Sequence, residues 1–166
     1  MIKKILFAAI VVLLVTGCAK KDAFSQFEMT SDQERSVDNA FYARLTKVVH
    51  DNNITSHTQV SAVTSGLYLN ELYPNRYENV EQFYIVFFAK NKALLEWFEF
   101  KLNGQHPIKV VKLPAENEYA HLMRMNNKWS IHYLVTFQKV KSKTLRLKVQ
   151  ILDGSKATLV FHKTPR

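Results

Sequence analysis

Residues 83–89, Phe83-Tyr84-Ile85-Val86-Phe87-Phe88-Ala89, form an unbroken apolar run. They lie in a stretch, from Asn53 onward, where short β-branched and aromatic segments alternate with turn formers, the texture of an antiparallel β domain. A strand with one wet face alternates between apolar and polar residues, whereas this one offers apolar groups to both sides. Any fold this chain adopts must therefore cover both faces of the strand at 82–90.

Seven strands are predicted, near 57–70, 82–90, 94–102, 107–113, 130–139, 144–152 and 156–163. Seven short strands in this length predict a mainly β fold, a two-sheet antiparallel sandwich spanning 54–166. It broadly resembles an immunoglobulin domain but lacks the cysteine pair that joins its sheets. Strand 144–152 alternates cleanly: Leu145, Leu147, Val149 and Ile151 share one face, and Arg146, Lys148 and Gln150 the other. Asn103-Gly104 and Asp153-Gly154 accept positive φ at low cost, so each is expected to close a hairpin between its flanking strands. Pro107 cannot donate to a ladder and belongs at a strand start or on an edge. The segment between Leu113 and Trp129 has room for one short helical turn, with Tyr119, Leu122 and Met123 facing inward.

Two coverings are conceivable for the outer side of strand 82–90. Ser31-Asp32-Gln33-Glu34 has the spacing of a capping box, and Val37, Phe41, Leu45, Val48 and Val49 follow at helical intervals. An amphipathic helix over 31–52 is the economical cover. The other is a partner protein, which would meet the aromatic surplus of strands 82–90 and 94–102, with Tyr84 and Trp97 as candidate contacts.

The N-terminal segment speaks to location. Lys3 and Lys4 precede an apolar stretch from Ile5 to Val15, of secretory length and too short to span a bilayer. Val15-Thr16-Gly17-Cys18 then resembles a bacterial lipobox. That resemblance implies cleavage after residue 17 and a covalent lipid on Cys18, the chain's one cysteine. Residues 1–17 are read as a signal peptide, 18–30 as lipidated cysteine and tether, and 31–166 as a single domain. Residues 19–30 reach at most about 40 Å when extended, so the domain would sit close to its membrane. Ala19 stands where inner-membrane retention signals commonly place Asp, and resemblance to that sorting rule implies an outer-membrane lipoprotein facing the periplasm.

Charge is concentrated at the other end. The formal charge is +9, yet residues 19–138 balance; the excess beyond the signal lies in 139–166, where eight basic residues face only Asp153. Lys141, Lys143, Arg146 and Lys148 are the candidate surface for an anionic envelope component: acidic lipid, lipopolysaccharide or cell-wall polymer. A nucleic-acid partner does not suit an exported chain. Lysines at these positions also serve the plainer purpose of keeping an edge strand soluble.

Catalytic signatures are missing from the sequence. His50, His57, His106, His121, His132 and His162 show neither HExxH nor HxH spacing, most read as surface residues, and no metal is expected. Glu96 and Glu99 fall on opposite faces of a strand and so cannot flank one bond. Thr64-Ser65-Gly66 is not a nucleophile elbow, and no glycine-rich phosphate loop occurs. The expectation is a non-enzymatic membrane-anchored module with an envelope protein partner or, alternatively, an anionic ligand, and no cofactor beyond the covalent lipid.

Overall fold

The computed structural model describes residues 41–50, 56–89, 91–123 and 129–164. Eight antiparallel strands form one curled sheet: β1 (Phe41–His50), β2 (Ser56–Tyr68), β3 (Val80–Ala89), β4 (Phe98–Leu102), β5 (Lys109–Leu113), β6 (Ile131–Gln138), β7 (Thr144–Ile151) and β8 (Lys156–His162). Their order is β4-β7-β8-β1-β2-β3-β6-β5. The mainly β, antiparallel expectation holds; in place of a seven-stranded sandwich of two sheets there is a single sheet of eight strands.

The eighth strand is β1, where a helix was expected. Phe41, Leu45 and Val49 are four residues apart, a spacing that puts side chains on one face of a strand as well as of a helix. Long-range pairing decides between them: β1 lies alongside β2 from Phe41↔Gly66 to His50↔Ser56, with a register shift between Leu45 and Thr46. Residues 31–40, including the capping box, lie outside the described residues, as do the signal segment and Cys18.

The Asp153-Gly154 hairpin joins β7 to β8 as expected. Gly154 adopts φ +82°, and its amide donates to the carbonyl of Ile151 at 2.9 Å. Asn103-Gly104 also makes a tight turn, both residues at positive φ, with Leu102 and Gln105 exchanging amide–carbonyl bonds of 2.9 Å. Its flanking strands nevertheless part: β4 pairs with β7 and β5 with β6, at opposite ends of the strand order. Only the last five residues of the expected strand 94–102 are extended, because Lys92–Leu95 form a 3₁₀ turn capped by Asn91.

Curling brings the two ends of the sheet together on its inner side. Phe98 on β4 lies 4.5 Å from Phe87 on β3 and 4.9 Å from Tyr133 on β6, ring centre to ring centre. Phe83, Ile85 and Phe87, with Leu145, Leu147, Val149 and Ile151 of β7, fill the resulting core. Gly66 is required there: a Cβ at this position would come within 2.8 Å of Leu159 Cδ1 and 3.0 Å of Ile85 Cδ1.

The outer side of β3 has its own cluster, in which Tyr84 and Val86 pack with Leu67, Leu69, Leu72, Tyr119, Leu122 and Met123. Among the described residues local segments cover the strand, and Phe41–His50 of the expected helix form β1. One is the short helix α1 (Leu69–Leu72) with the connection to β3; the other is 114–123, with a 3₁₀ turn at Ala120–Leu122. Buried Asn70 stitches the first in place, donating to the carbonyls of Tyr77 (2.6 Å) and Val80 (2.7 Å) and accepting from the Gln82 amide (2.8 Å). Arg76 clamps the second through a bidentate pair with Glu118, at 2.8 and 2.9 Å. The expected inward turn of Tyr119, Leu122 and Met123 is present.

Candidate functional site

Direct partners in a ladder point to the same side of a sheet, so register alone defines the outer face of β4, β7 and β8. Arg146 and Lys148 are exposed on β7, and every inward neighbour, Leu145, Leu147, Val149 and Ile151, is fully buried. Lys148 stands directly opposite Lys101 of β4 and Thr158 of β8, while Gln150 stands between Glu99 and Lys156. The face thus carries Lys101, Arg146, Lys148 and Lys156 against a single carboxylate, Glu99. That carboxylate accepts a bond from Lys101 at 2.6 Å, which with the surrounding positive charge holds its pKa below the usual carboxylate range.

Lys141 and Lys143 are exposed in the connection before β7, at the end of this face. Among the described residues, no salt bridge involves Lys141, Lys143, Arg146 or Lys148. Sequence reading located these four but missed Lys101, because nothing local in Glu99-Phe100-Lys101 reveals that β4 pairs with β7.

The two expected aromatic contacts are placed differently. Tyr84 is fully buried beneath 114–123, so a contact through it is ruled out in this arrangement, whereas Trp97 is 46% exposed just before β4. His132 departs from the surface expected for most of the histidines and is 1% exposed. Its Nδ1 lies 2.6 Å from the Tyr84 hydroxyl, and Asn117 Nδ2 donates to that same hydroxyl oxygen at 3.3 Å.

A second polar group sits at one end of the core. Glu81 is fully buried yet multiply bonded: it accepts from the Lys163 ammonium at 2.6 Å, from the Val140 amide at 2.8 Å and from the Tyr68 hydroxyl. Above it opens a cleft of about 210 Å³ lined by residues including Glu71, Glu78, Lys139 and Lys163. Acids and bases are mixed there, and Lys163 is already committed to Glu81 and to the Val140 carbonyl. The arrangement ties the C-terminal end of β8 to β3.

The β7–β8 turn is fastened similarly. Asp153 accepts from Ser61 (2.7 Å), from the Ser155 amide (3.0 Å) and from Lys47 (3.1 Å). Burial opposes ionisation of this carboxyl, but those donors outweigh it and bring the pKa down to about 2. Among the described residues, no group of three His, Cys, Asp or Glu side chains is placed to hold a metal ion, and no helix is long and apolar enough to cross a membrane. Compared with protein-family models, curated proteins and solved structures, the chain matches none.

Proposed function

We propose that this chain is a lipid-anchored envelope protein, held through Cys18 at the periplasmic side of the outer membrane, whose β domain is a non-catalytic binding module for anionic groups. The observation that carries the binding half is the outer face of β4, β7 and β8, with four basic side chains, one acid and no cover among the described residues. Such a face attracts phosphate- or carboxylate-rich surfaces over roughly a Debye length of 8–10 Å, and the attraction weakens with salt. A tether of at most about 40 Å limits how far the domain can stand from lipid headgroups. Anionic lipid is therefore the preferred ligand, ahead of cell-wall polymer.

A protein partner is the second reading. With Tyr84 inside the molecule it rests on Trp97, exposed beside the edge strand β4, and on Phe88 of β3.

Two measurements test the first reading. Cells given labelled palmitate should incorporate it into the wild-type chain and not into Cys18→Ser; label in both would refute anchoring at Cys18. The polypeptide from residue 19 onward, free of any anchor, should sediment with vesicles containing phosphatidylglycerol and not with phosphatidylcholine alone. Binding should fall steeply between about 0.05 and 0.5 M salt. Equal binding to both vesicles would refute the electrostatic account.

A further inference from the structure

Through Nδ1, His132 shares a hydrogen bond with the Tyr84 hydroxyl. Asn117 donates to the Tyr84 oxygen, so the Tyr84 hydroxyl proton is free to point at His132 Nδ1, which accepts it. In that arrangement the imidazole carries its hydrogen on Nε2, which is buried with no hydrogen-bond partner among the described residues. A second proton would have to enter at Nδ1, where a donor already points. It would place a charge inside an apolar cluster and set two donors on the Tyr84 oxygen. Burial accordingly pushes the imidazole pKa below its ordinary value.

Segment 114–123 packs over Tyr84, the hydrogen-bond partner of His132. The Tyr119 ring lies 5.6 Å from that of Tyr84, tilted by 44°, and Asn117 bridges Tyr84 to the Pro114 carbonyl. His132 lies opposite Val86 on β3 and Leu113 on β5, and Lys112 next to Leu113 belongs to the other face. Glu118 of the cover is paired with Arg76, and Tyr119 with Tyr77; His121 is exposed on the cover. Among the described residues, Tyr84 is the titratable group that bonds to His132.

We propose that segment 114–123 is an acid-released cover, held over the outer face of β3 while His132 is neutral and let go when that imidazole takes up a second proton. The sign follows from linkage. With the cover closed, proton uptake is disfavoured, so a state with His132 in water binds the proton first. Closure is at full strength above the ordinary histidine range and weakens as pH falls through it, down to the depressed value of the closed form. Glu118 titrates lower still, because its bond to Arg76 holds its pKa below the usual carboxylate range, so the clamp does not account for a change near pH 6.

Hydrogen exchange of the full chain in detergent micelles, corrected for intrinsic rates, reads the cover directly. Between about pH 7.5 and about pH 5.5, protection of 114–123 should fall about tenfold while that of β7 is unchanged. His132→Asn retains an acceptor for the Tyr84 hydroxyl and does not titrate; it should abolish the fall. His121→Gln should leave it intact. Equal loss in β7, persistence in His132→Asn, or abolition in His121→Gln would each overturn the proposal. If His132→Asn fails to fold, an NMR titration of wild-type His132 decides: a doubly protonated ring under a still-protected cover would overturn it, and protonation in step with lost protection would support it.

Discussion

β3 and β7 are alike toward the interior and opposite toward the outside. Phe83, Ile85 and Phe87 of one strand and Leu145, Leu147, Val149 and Ile151 of the other fill the same core. Behind them, β3 presents Tyr84 and Val86 to a second apolar cluster, whereas β7 presents Arg146 and Lys148 to solvent. The difference is one of neighbours as much as of residues. β3 is central enough for α1 and 114–123 to lie across it, while β7 lies next to the edge strand β4, with no cover among the described residues. One sheet thus has a structural outer face over β3 and a basic outer face over β7.

The largest effects should separate the two strands by alanine substitution. Phe83→Ala and Tyr84→Ala, adjacent residues on opposite faces of β3, should each cost about 3–5 kcal/mol in urea unfolding. On β7, Leu147→Ala should cost about 2–5 kcal/mol and its neighbour Lys148→Ala within about 0.5 kcal/mol. A cheap Tyr84→Ala would mean that the outer cluster contributes little and that the contrast is false.

Next comes the buried ion pair at the end of β3. Lys163→Met leaves the Glu81 carboxylate buried without its cation and should cost about 3 kcal/mol, part of the penalty being relieved by the partial exposure of Lys163. Adding Glu81→Gln should recover much of that loss, and a purely additive double variant would deny the coupling. Gly66→Ala is expected to cost about 1–3 kcal/mol through overpacking against Leu159 and Ile85, seen as a lowered thermal midpoint.

Smaller, and confined to acid, is the effect of Asp153. Its folded pKa of about 2 lies below the unfolded value, so its contribution is fully present above the ordinary aspartate pKa and is lost as pH falls through the folded value. It amounts to roughly 2 kcal/mol. Unfolding measured from neutral pH down to about pH 2 should show that loss in wild type and not in Asp153→Asn.

Much of this contrast was legible in the sequence. The alternation of Leu145 to Ile151 with Arg146 and Lys148 fixes a half-wet strand, and the Phe83–Ala89 run fixes one covered twice, because side-chain direction follows chain position locally. What covers β3 was not legible. Phe41, Leu45 and Val49 satisfy helical and extended spacing equally, and the choice was made by ten paired residues of β2. Asn103-Gly104 specifies a tight turn, but not that β4 and β5 leave it toward different partners. The basic face was half legible for the same reason: Arg146 and Lys148 announce themselves by alternation, and Lys101 joins them only through non-local register. His132 gave no signal at all, since its burial depends on other segments.

The central claim is that the outer face of β7 binds anionic surfaces without supporting the fold. The most direct test combines both halves in one variant, Lys141→Glu, Lys143→Glu, Arg146→Glu and Lys148→Glu together, in the polypeptide from residue 19 onward. The account predicts an unfolding midpoint in urea close to that of wild type and complete loss of sedimentation with phosphatidylglycerol vesicles at low salt. Retained sedimentation by a folded variant would contradict it.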